Sequence, residues 1–321
     1  MKIFIKFILL PFLLLLCLVF LSIVFFRSSS KGRDASIKHG VSYPAVIAHR
    51  GASYLAPEET APAYILAREL GADYLEMDIQ RTADGVLVAF HDDTLERTTN
   101  IEEVYPEKAQ KPVQFFTLEE IKMLDAGSWF NHMFTDRARL SYTKLKILTL
   151  EEVLDIASKS GKTPGLYIEC KNPDKSPGIE EELINILRKK GWFDKTKIIY
   201  QSFSEKSLLK WKNLAPEFTA VYLVDEKSEK KSGWNNLVKT ARSNGMGIAP
   251  IGYLAWPWNI GRAHRAGLFV HVWTINENWQ FRLIRFFGAD GIFTDRADQL
   301  LKYYGRNTPL KPAEILEKNG Y

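Results

Sequence analysis

Past residue 44 the sequence repeats one pattern, a short apolar run rich in β-branched residues followed by a longer amphipathic run. Residues 45–49, 74–79, 165–170, 197–202, 219–224, 246–250, 269–275 and 291–294 read as strands. Between them, residues 61–70, 150–158, 179–189, 205–211, 234–242, 260–266 and 279–286 carry helical periodicity. Gly71, Gly191, Gly267 and Gly288 stand where helices return to strands, which is helix C-terminal chemistry. Strands that are apolar throughout suit a parallel sheet covered on both faces. Eight of them alternating with helices predict an α/β chain folded as a (β/α)8 TIM barrel over residues 44–304. A doubly wound open sheet is the alternative. It is weakened by the first strand-to-helix turn, His49-Arg50-Gly51-Ala52-Ser53, which lacks the glycine spacing of a dinucleotide site.

One connection breaks the rhythm. About 85 residues separate the second and third strands. They open with Thr82-Ala83-Asp84-Gly85 before the apolar residues 86–90, a hairpin signal. Residues 95–148 then read as an irregular insertion, and an excursion of that length is more often a functional lid than an idle loop.

Ahead of the barrel, residues 7–26 are 20 residues without a charge, flanked by basic residues. As a helix they would be about 30 Å long, the thickness of a hydrocarbon core. An uncleaved transmembrane anchor over residues 1–28 fits better than a cleaved signal, because Phe25-Phe26-Arg27 offers no small-residue cleavage site. The protein is therefore expected to be single-pass; Lys2 and Lys6 favour an inside N-terminus and so an exported catalytic domain, while Arg27, Lys31, Arg33 and Lys38 pull the other flank inward and leave the orientation open. Residues 29–43 read as a polar linker and 305–321 as a C-terminal tail. The formal net charge of +5 sits entirely in the first 40 residues, which leaves the rest neutral. A neutral globular part argues against a nucleic-acid partner, which would need a basic field. The two cysteines, Cys17 and Cys170, exclude a disulfide framework or a cysteine-rich zinc site.

A barrel carries its chemistry at the C-terminal ends of its strands. Those ends hold His49-Arg50, Glu76-Met77-Asp78, Glu169-Cys170-Lys171, Gln201-Ser202, Trp273-Thr274 and Thr294-Asp295. Glu76 and Asp78 are two apart on one strand and so face the same side. Two such carboxylates repel unless a cation lies between them, and Glu169 adds a third oxygen ligand. An all-oxygen set suits one divalent cation, Mg²⁺ or Ca²⁺, and not zinc. The bland alternative, surface pairing with Lys or Arg, is open for each acid alone but weak for all three together. His49, and His91 after the hairpin, are suited to acid–base work near neutral pH. Arg50 and Lys171 beside the acids favour an anionic substrate, most economically a phosphate ester. His271, inside an apolar strand, reads as a core residue.

These residues also carry a family resemblance. His49-Arg50-Gly51-Ala52, Pro57-Glu58-Glu59-Thr60, Gly71-Ala72-Asp73-Tyr74-Leu75-Glu76-Met77-Asp78 and His91-Asp92-Asp93-Thr94-Leu95-Glu96-Arg97-Thr98-Thr99 resemble the glycerophosphodiester phosphodiesterase family. Glu169-Cys170-Lys171, Gln201-Ser202-Phe203, Val272-Trp273-Thr274-Ile275-Asn276 and Asp290-Gly291-Ile292-Phe293-Thr294-Asp295 continue the likeness in order across roughly residues 45–303. The resemblance implies a barrel that hydrolyses a glycerophosphodiester to sn-glycerol 3-phosphate and an alcohol. It assigns acid–base work to His49 and His91, metal ligation to Glu76, Asp78 and Glu169, and phosphate contacts to Arg50 and Lys171. Gln201 and Trp273 match its pocket-lining positions. A neighbouring glycerol hydroxyl attacking phosphorus, to give a cyclic phosphate, is the implied route. Two departures stand out: Glu59 where the family commonly has Asn, and Arg296-Ala297 where it has a proline.

Two other readings compete. A lysophospholipase D would keep the chemistry and act on lipids, which the anchor and the aromatic run Trp256-Pro257-Trp258 would suit; the aromatics read first as ordinary buried packing. A non-catalytic binding barrel would be expected to have lost histidines or acids, and all are present.

Overall fold

A computed structural model of the chain describes residues 11–20, 29–159, 163–194, 197–306 and 308–321. Its strands are β1 (Ala45–Ala48), β2 (Tyr74–Arg81), β3 (Leu87–Ala89), β4 (Gly165–Cys170), β5 (Ile198–Ser202), β6 (Thr219–Val224), β7 (Gly247–Pro250), β8 (His271–Val272) and β9 (Gly291–Thr294). All but β3 run parallel, in the spatial order β7-β6-β5-β4-β2-β1-β9-β8. The two ends of that path meet at isolated parallel bridges, Ile248 with Val270 and Ile251 with Trp273. The Trp273 N–H donates to the Pro250 carbonyl at 3.2 Å, and the Gly252 N–H to the Trp273 carbonyl at 2.7 Å. The sheet is thus a nearly closed barrel, not an open doubly wound sheet. β3 pairs antiparallel with β2, Ile79 opposite Ala89, through the Asp84-Gly85 turn.

Alternation along the strands decides what lies inside. Ala45, Ile47, Tyr74, Tyr167, Phe269 and Phe293 fill the lower interior, while Val46, Ala48, Leu75, Met77, Leu166 and Ile168 pack outward against the helices. The aromatic rings fit because small residues face them. A Cβ on Gly165 would lie 2.4 Å from the Tyr74 ring, and one on Gly247 2.2 Å from the Phe269 ring. Two positions further along the same inward rows, Tyr74 gives way to Glu76 and Asp78, and Tyr167 to Glu169. The apolar plug is therefore also the floor of the acidic cluster.

Two expected boundaries are corrected. Ser29–Lys38, read as a linker, is a helix lying across the floor of the barrel. Gly32 comes so close to the Asp290–His264 pair that a Cβ there would be 2.1 Å from Asp290 Oδ1. Ala35 and Ser36 are buried beside it, and the following His39 meets Phe269 edge-on at 5.4 Å. Small residues three and four apart resemble linker composition, but on a helix they make a flat face that permits close packing. The expected tail is also docked. Arg306 pairs with Asp73 at 2.7 Å, and helix Pro312–Lys318 buries Ile315 and Leu316. Half of the segment behind the transmembrane expectation, residues 7–10 and 21–26, lies outside the described residues. Residues 11–20 are helical, and among the described residues no helix is long and apolar enough to cross a membrane.

Residues 95–148 contain the short helices Ile101–Val104, Leu118–Met123 and Ser128–Met133. Leu95, Ile101, Val113, Phe116, Ile121 and Leu124 form a separate small core there with Val88 and Phe90 of the hairpin. The insertion thereby steadies the loop that follows β3.

His271 is fully buried, its Nδ1 3.2 Å from the Tyr167 hydroxyl, and burial pushes its imidazole down to about 3. The unfolded chain binds this proton near pH 6.5 and the folded chain does not, so its contribution is intact above that pH and is lost on acidification. Between pH 7.5 and 5.5 the loss is about 1.4 kcal/mol. His271→Phe is expected to shrink the pH dependence of urea-unfolding stability over this interval by about that amount; an unchanged dependence would mean that the histidine titrates alike in the folded and the unfolded chain.

Candidate active site

The site is built at the C-terminal strand ends by register. Asp78 on β2 lies opposite Glu169 on β4, and Glu169 opposite Gln201 on β5. Ligand oxygens of Glu76, Asp78 and Glu169 lie within 4.8 Å of one another, and all three residues are buried. His49, Arg50, His91, Lys171 and Trp273 line the same cavity of about 120 Å³ with these acids. Every one of these positions was expected there.

Gln201 is the exception. It does not line the cavity but lies buried behind Glu76, donating Nε2–H to Glu76 Oε1 at 2.9 Å. Its place is that of a buried clamp on an acid, because the β5 register sets it level with Glu169 deep in the barrel.

Charge is balanced locally. Lys171 Nζ lies 3.1 Å from Glu169 and 3.5 Å from Asp78, and Arg50 Nε lies 3.3 Å from Asp78 Oδ2. The Arg50 main chain has φ 54, a conformation that a non-glycine residue rarely adopts, and its N–H donates to Glu76 Oε2 at 2.8 Å. Burial raises the carboxyls, and the neighbouring charges then separate them. Glu76, beside Asp78, is pushed up to about 7, and Glu169 to about 8 despite Lys171. Asp78 is also penalised by burial, but Lys171 and Arg50 outweigh this and hold it well below the usual range. Asp78 Oδ2 and Gln201 Oε1 are buried without a hydrogen-bond partner. Three converging hard oxygens, with Asp78 Oδ2 ion-paired to Arg50 but accepting no hydrogen bond, fit a divalent cation of the Mg²⁺ or Ca²⁺ type.

Each histidine has an aspartate partner. His49 Nδ1 lies 2.7 Å from Asp295 Oδ1, and His91 Nδ1 2.5 Å from Asp92 Oδ1. A carboxylate at Nδ1 fixes the tautomer and leaves Nε2 for proton exchange. Burial and Arg50 pull the His49 value down, but the Asp295 hydrogen bond and charge prevail, so it is raised. Asp295 is itself held by Ser53 Oγ at 3.1 Å and Asn276 Nδ2 at 2.6 Å. Asp92 continues into a chain of charges: Arg97 donates to Asp92 and, by two N–H groups at 2.7 and 2.9 Å, to Glu58, which accepts from Arg50 at 2.9 Å. The backbone under His91 is pinned by the Phe90 N–H to the Asp78 carbonyl at 2.8 Å and by Gln80 Nε2 to the Phe90 carbonyl at 2.9 Å. Sequence reading gave no role to Asp92, Asp295, Glu58 or Arg97. Their positions beside a histidine or at a strand end were the available signal.

Parallel strands closed into a barrel, with acids, two His–Asp pairs and two cations at one mouth, define the class as a hydrolase of phosphate esters. The family model for the glycerophosphoryl diester phosphodiesterase family matches residues 49–299. A glycerophosphodiester phosphodiesterase of Bacillus subtilis (strain 168) is 37% identical over 256 residues, covering 78% of this chain and 83% of the relative. One from Caldanaerobacter subterraneus subsp. tengcongensis is 33% identical over 258 residues, covering 80% of this chain and 96% of its own length. The crystal structure of glycerophosphodiester phosphodiesterase from Agrobacterium tumefaciens matches with TM-score 0.61 and 30% identity, over 80% of this chain and 99% of the other. An Oleispira antarctica phosphodiesterase in complex with the product sn-glycerol-3-phosphate matches with TM-score 0.66 and 27% identity, over 82% and 97%. The chain belongs to the glycerophosphoryl diester phosphodiesterase family.

The departure at Glu59 has a definite structural setting. Its φ is 56, a left-handed conformation that Asn tolerates better than Glu. Its side chain runs inward, Oε1 accepting the Asp78 N–H at 2.7 Å, while Oε2 is buried without a partner. Burial, then the Asp78 charge, raise its carboxyl well above the usual value. Glu59→Asn is therefore expected to stabilise the metal-free protein by about 1 kcal/mol, through relief of backbone strain and loss of an unpaired buried oxygen. Urea unfolding measures this; a lowered midpoint would mean that the longer carboxyl is needed to hold Asp78.

Proposed function

We propose that the chain hydrolyses glycerophosphodiesters to sn-glycerol 3-phosphate and an alcohol, with Glu76, Asp78 and Glu169 holding one divalent cation. The observation that carries this reading is the convergence of the three buried carboxylates in the cavity that both histidines line. When bound, such a cation supplies positive charge against the phosphoryl oxygens. Arg50 and Lys171 bind the same oxygens, the guanidinium through paired N–H groups and the ammonium as a point charge. One histidine takes the proton of the attacking hydroxyl and the other gives a proton to the leaving oxygen. Asp295 and Asp92 keep the two rings in the tautomer that allows this. Trp273 and Phe203, whose rings meet edge-to-face at 5.7 Å, form an aromatic wall that limits water at the reacting phosphate. The product named for the Oleispira antarctica relative supports the glycerol side of this reading.

His49→Ala and His91→Ala are each expected to lower kcat on glycerophosphocholine by about 10²- to 10⁴-fold. EDTA is expected to abolish turnover, with Mg²⁺ or Ca²⁺ added back separately to identify the working ion. Turnover unaffected by either substitution, or by complete chelation, would remove the mechanism.

The apolar residues 7–26 belong to the same proposal as an uncleaved single-pass anchor carrying an exported catalytic domain. Membrane fractionation and protease protection of the full chain test it. A soluble protein beginning near residue 27 would replace the anchor by a cleaved signal.

A further inference from the structure

The turn that follows His49 is gripped from two distant parts of the chain. Within it, Ser53 Oγ donates to the His49 carbonyl at 2.7 Å and to Asp295 Oδ1 at 3.1 Å, the same oxygen that faces His49 Nδ1. The Tyr54 N–H donates to the Asp295 carbonyl at 3.0 Å. Residues 53 and 54 thus hold Asp295 by side chain and by main chain. A displaced turn would carry the His49–Asp295 pair with it.

The Tyr54 ring is where the grip is applied. The Arg137 guanidinium lies 4.0 Å from its centroid and that of Arg296 4.1 Å, both well inside the reach of about 6 Å for a cation over an aromatic face. Arg137 also donates Nη1–H to the Tyr54 carbonyl at 2.6 Å, and Tyr142 of the same insertion donates its hydroxyl to the Leu55 carbonyl at 2.8 Å. On its own side Arg137 rests on the Phe134 ring at 4.2 Å. The ion pairs of the two arginines do not explain their placement. Asp136 and Glu277 lie at 3.3 Å but are 71% and 55% exposed, and pairs of that kind contribute little. Arg296 Nε is buried without a hydrogen-bond partner, which leaves the ring as its main contact there.

Resting on the glycerophosphodiester reading above, we propose that Arg137 and Arg296 are positioning residues for His49, acting through the Tyr54 ring to hold Asp295 against the imidazole. A role for the long insertion follows. Its small core packs with Val88 and Phe90 beneath His91, while its Arg137 and Tyr142 brace the turn after His49. One segment therefore sets both acid–base groups relative to each other. Proton transfer on the two sides of one phosphate needs that spacing, since a misplacement of about 1 Å can lower a rate by about 10²-fold. Tyr54, Arg137 and Arg296 do not line the catalytic cavity, so their action is indirect.

The test uses the full chain with glycerophosphocholine at saturating Mg²⁺ or Ca²⁺. Tyr54→Leu is expected to lower kcat by about tenfold or more with KM changed less than about twofold. Tyr54→Phe, which keeps the ring, is expected to restore the rate. Arg137→Gln and Arg296→Gln should each lower kcat by about two- to fivefold, and neither should lower it further once Tyr54 is Leu. Arginine losses that persist without the ring, or an equal loss in Tyr54→Phe, overturn the clamp. A raised KM at unchanged kcat also overturns it, because the cations would then serve to draw in the anionic substrate. Should Tyr54→Leu fail to fold, Tyr54→Phe and the two arginine variants, whose wild-type side chains are 16% and 24% exposed, decide by the same criteria. Variants as active as the wild type reject this inference and leave the parent reading standing; a wild type inactive on glycerophosphodiesters rejects the parent reading and this inference with it.

Discussion

Three carboxylates held out of water within 4.8 Å of one another are the constraint to which the rest of the site answers. Ionised together and unpaired they would repel strongly, since the interior screens charge far less than water does. The surrounding structure meets this in two ways. Lys171 and Arg50 sit against the acids, and Glu76 and Glu169 take values near neutrality. Even the main chain contributes, because the strained turn at Arg50 exists to send an N–H to Glu76. A cluster so placed is costly for a fold to carry without a use, and a hard cation meeting an anionic substrate is the use its donor atoms fit.

The barrel was legible because its determinants are local. Apolar strands, amphipathic helices and glycine helix ends each announce themselves within about ten residues. The acids were legible for a related reason: two-residue spacing puts Glu76 and Asp78 on one face without any knowledge of the remaining fold. What could not be read was partnership across the chain. His49 finds Asp295 at a separation of 246 residues, and Arg97 finds Glu58 at 39, so neither pair leaves a trace in spacing. Gln201 stood at a strand end like the others, but only the register tells whether such a side chain meets substrate or an acid behind it.

Composition misled where a small residue packs instead of flexing. The run Ser28-Ser29-Ser30-Lys31-Gly32-Arg33 has the make-up of a tether, yet at Gly32 helix and barrel approach too closely to admit a Cβ. The same logic in reverse explains Trp256 and Trp258, large rings that were expected inside and stand partly exposed, stacked on each other. Burial follows from what a neighbouring element offers, which hydrophobicity alone does not report.

The helix across the floor also sets a polarity for the whole molecule. Gly32 rests on Asp290, just before β9 begins, whereas His49 and Asp295 gather beyond the other ends of the strands. The Gly32 contact and the reacting groups therefore occupy opposite poles of the barrel, and what disturbs one end of the strands need not reach the other.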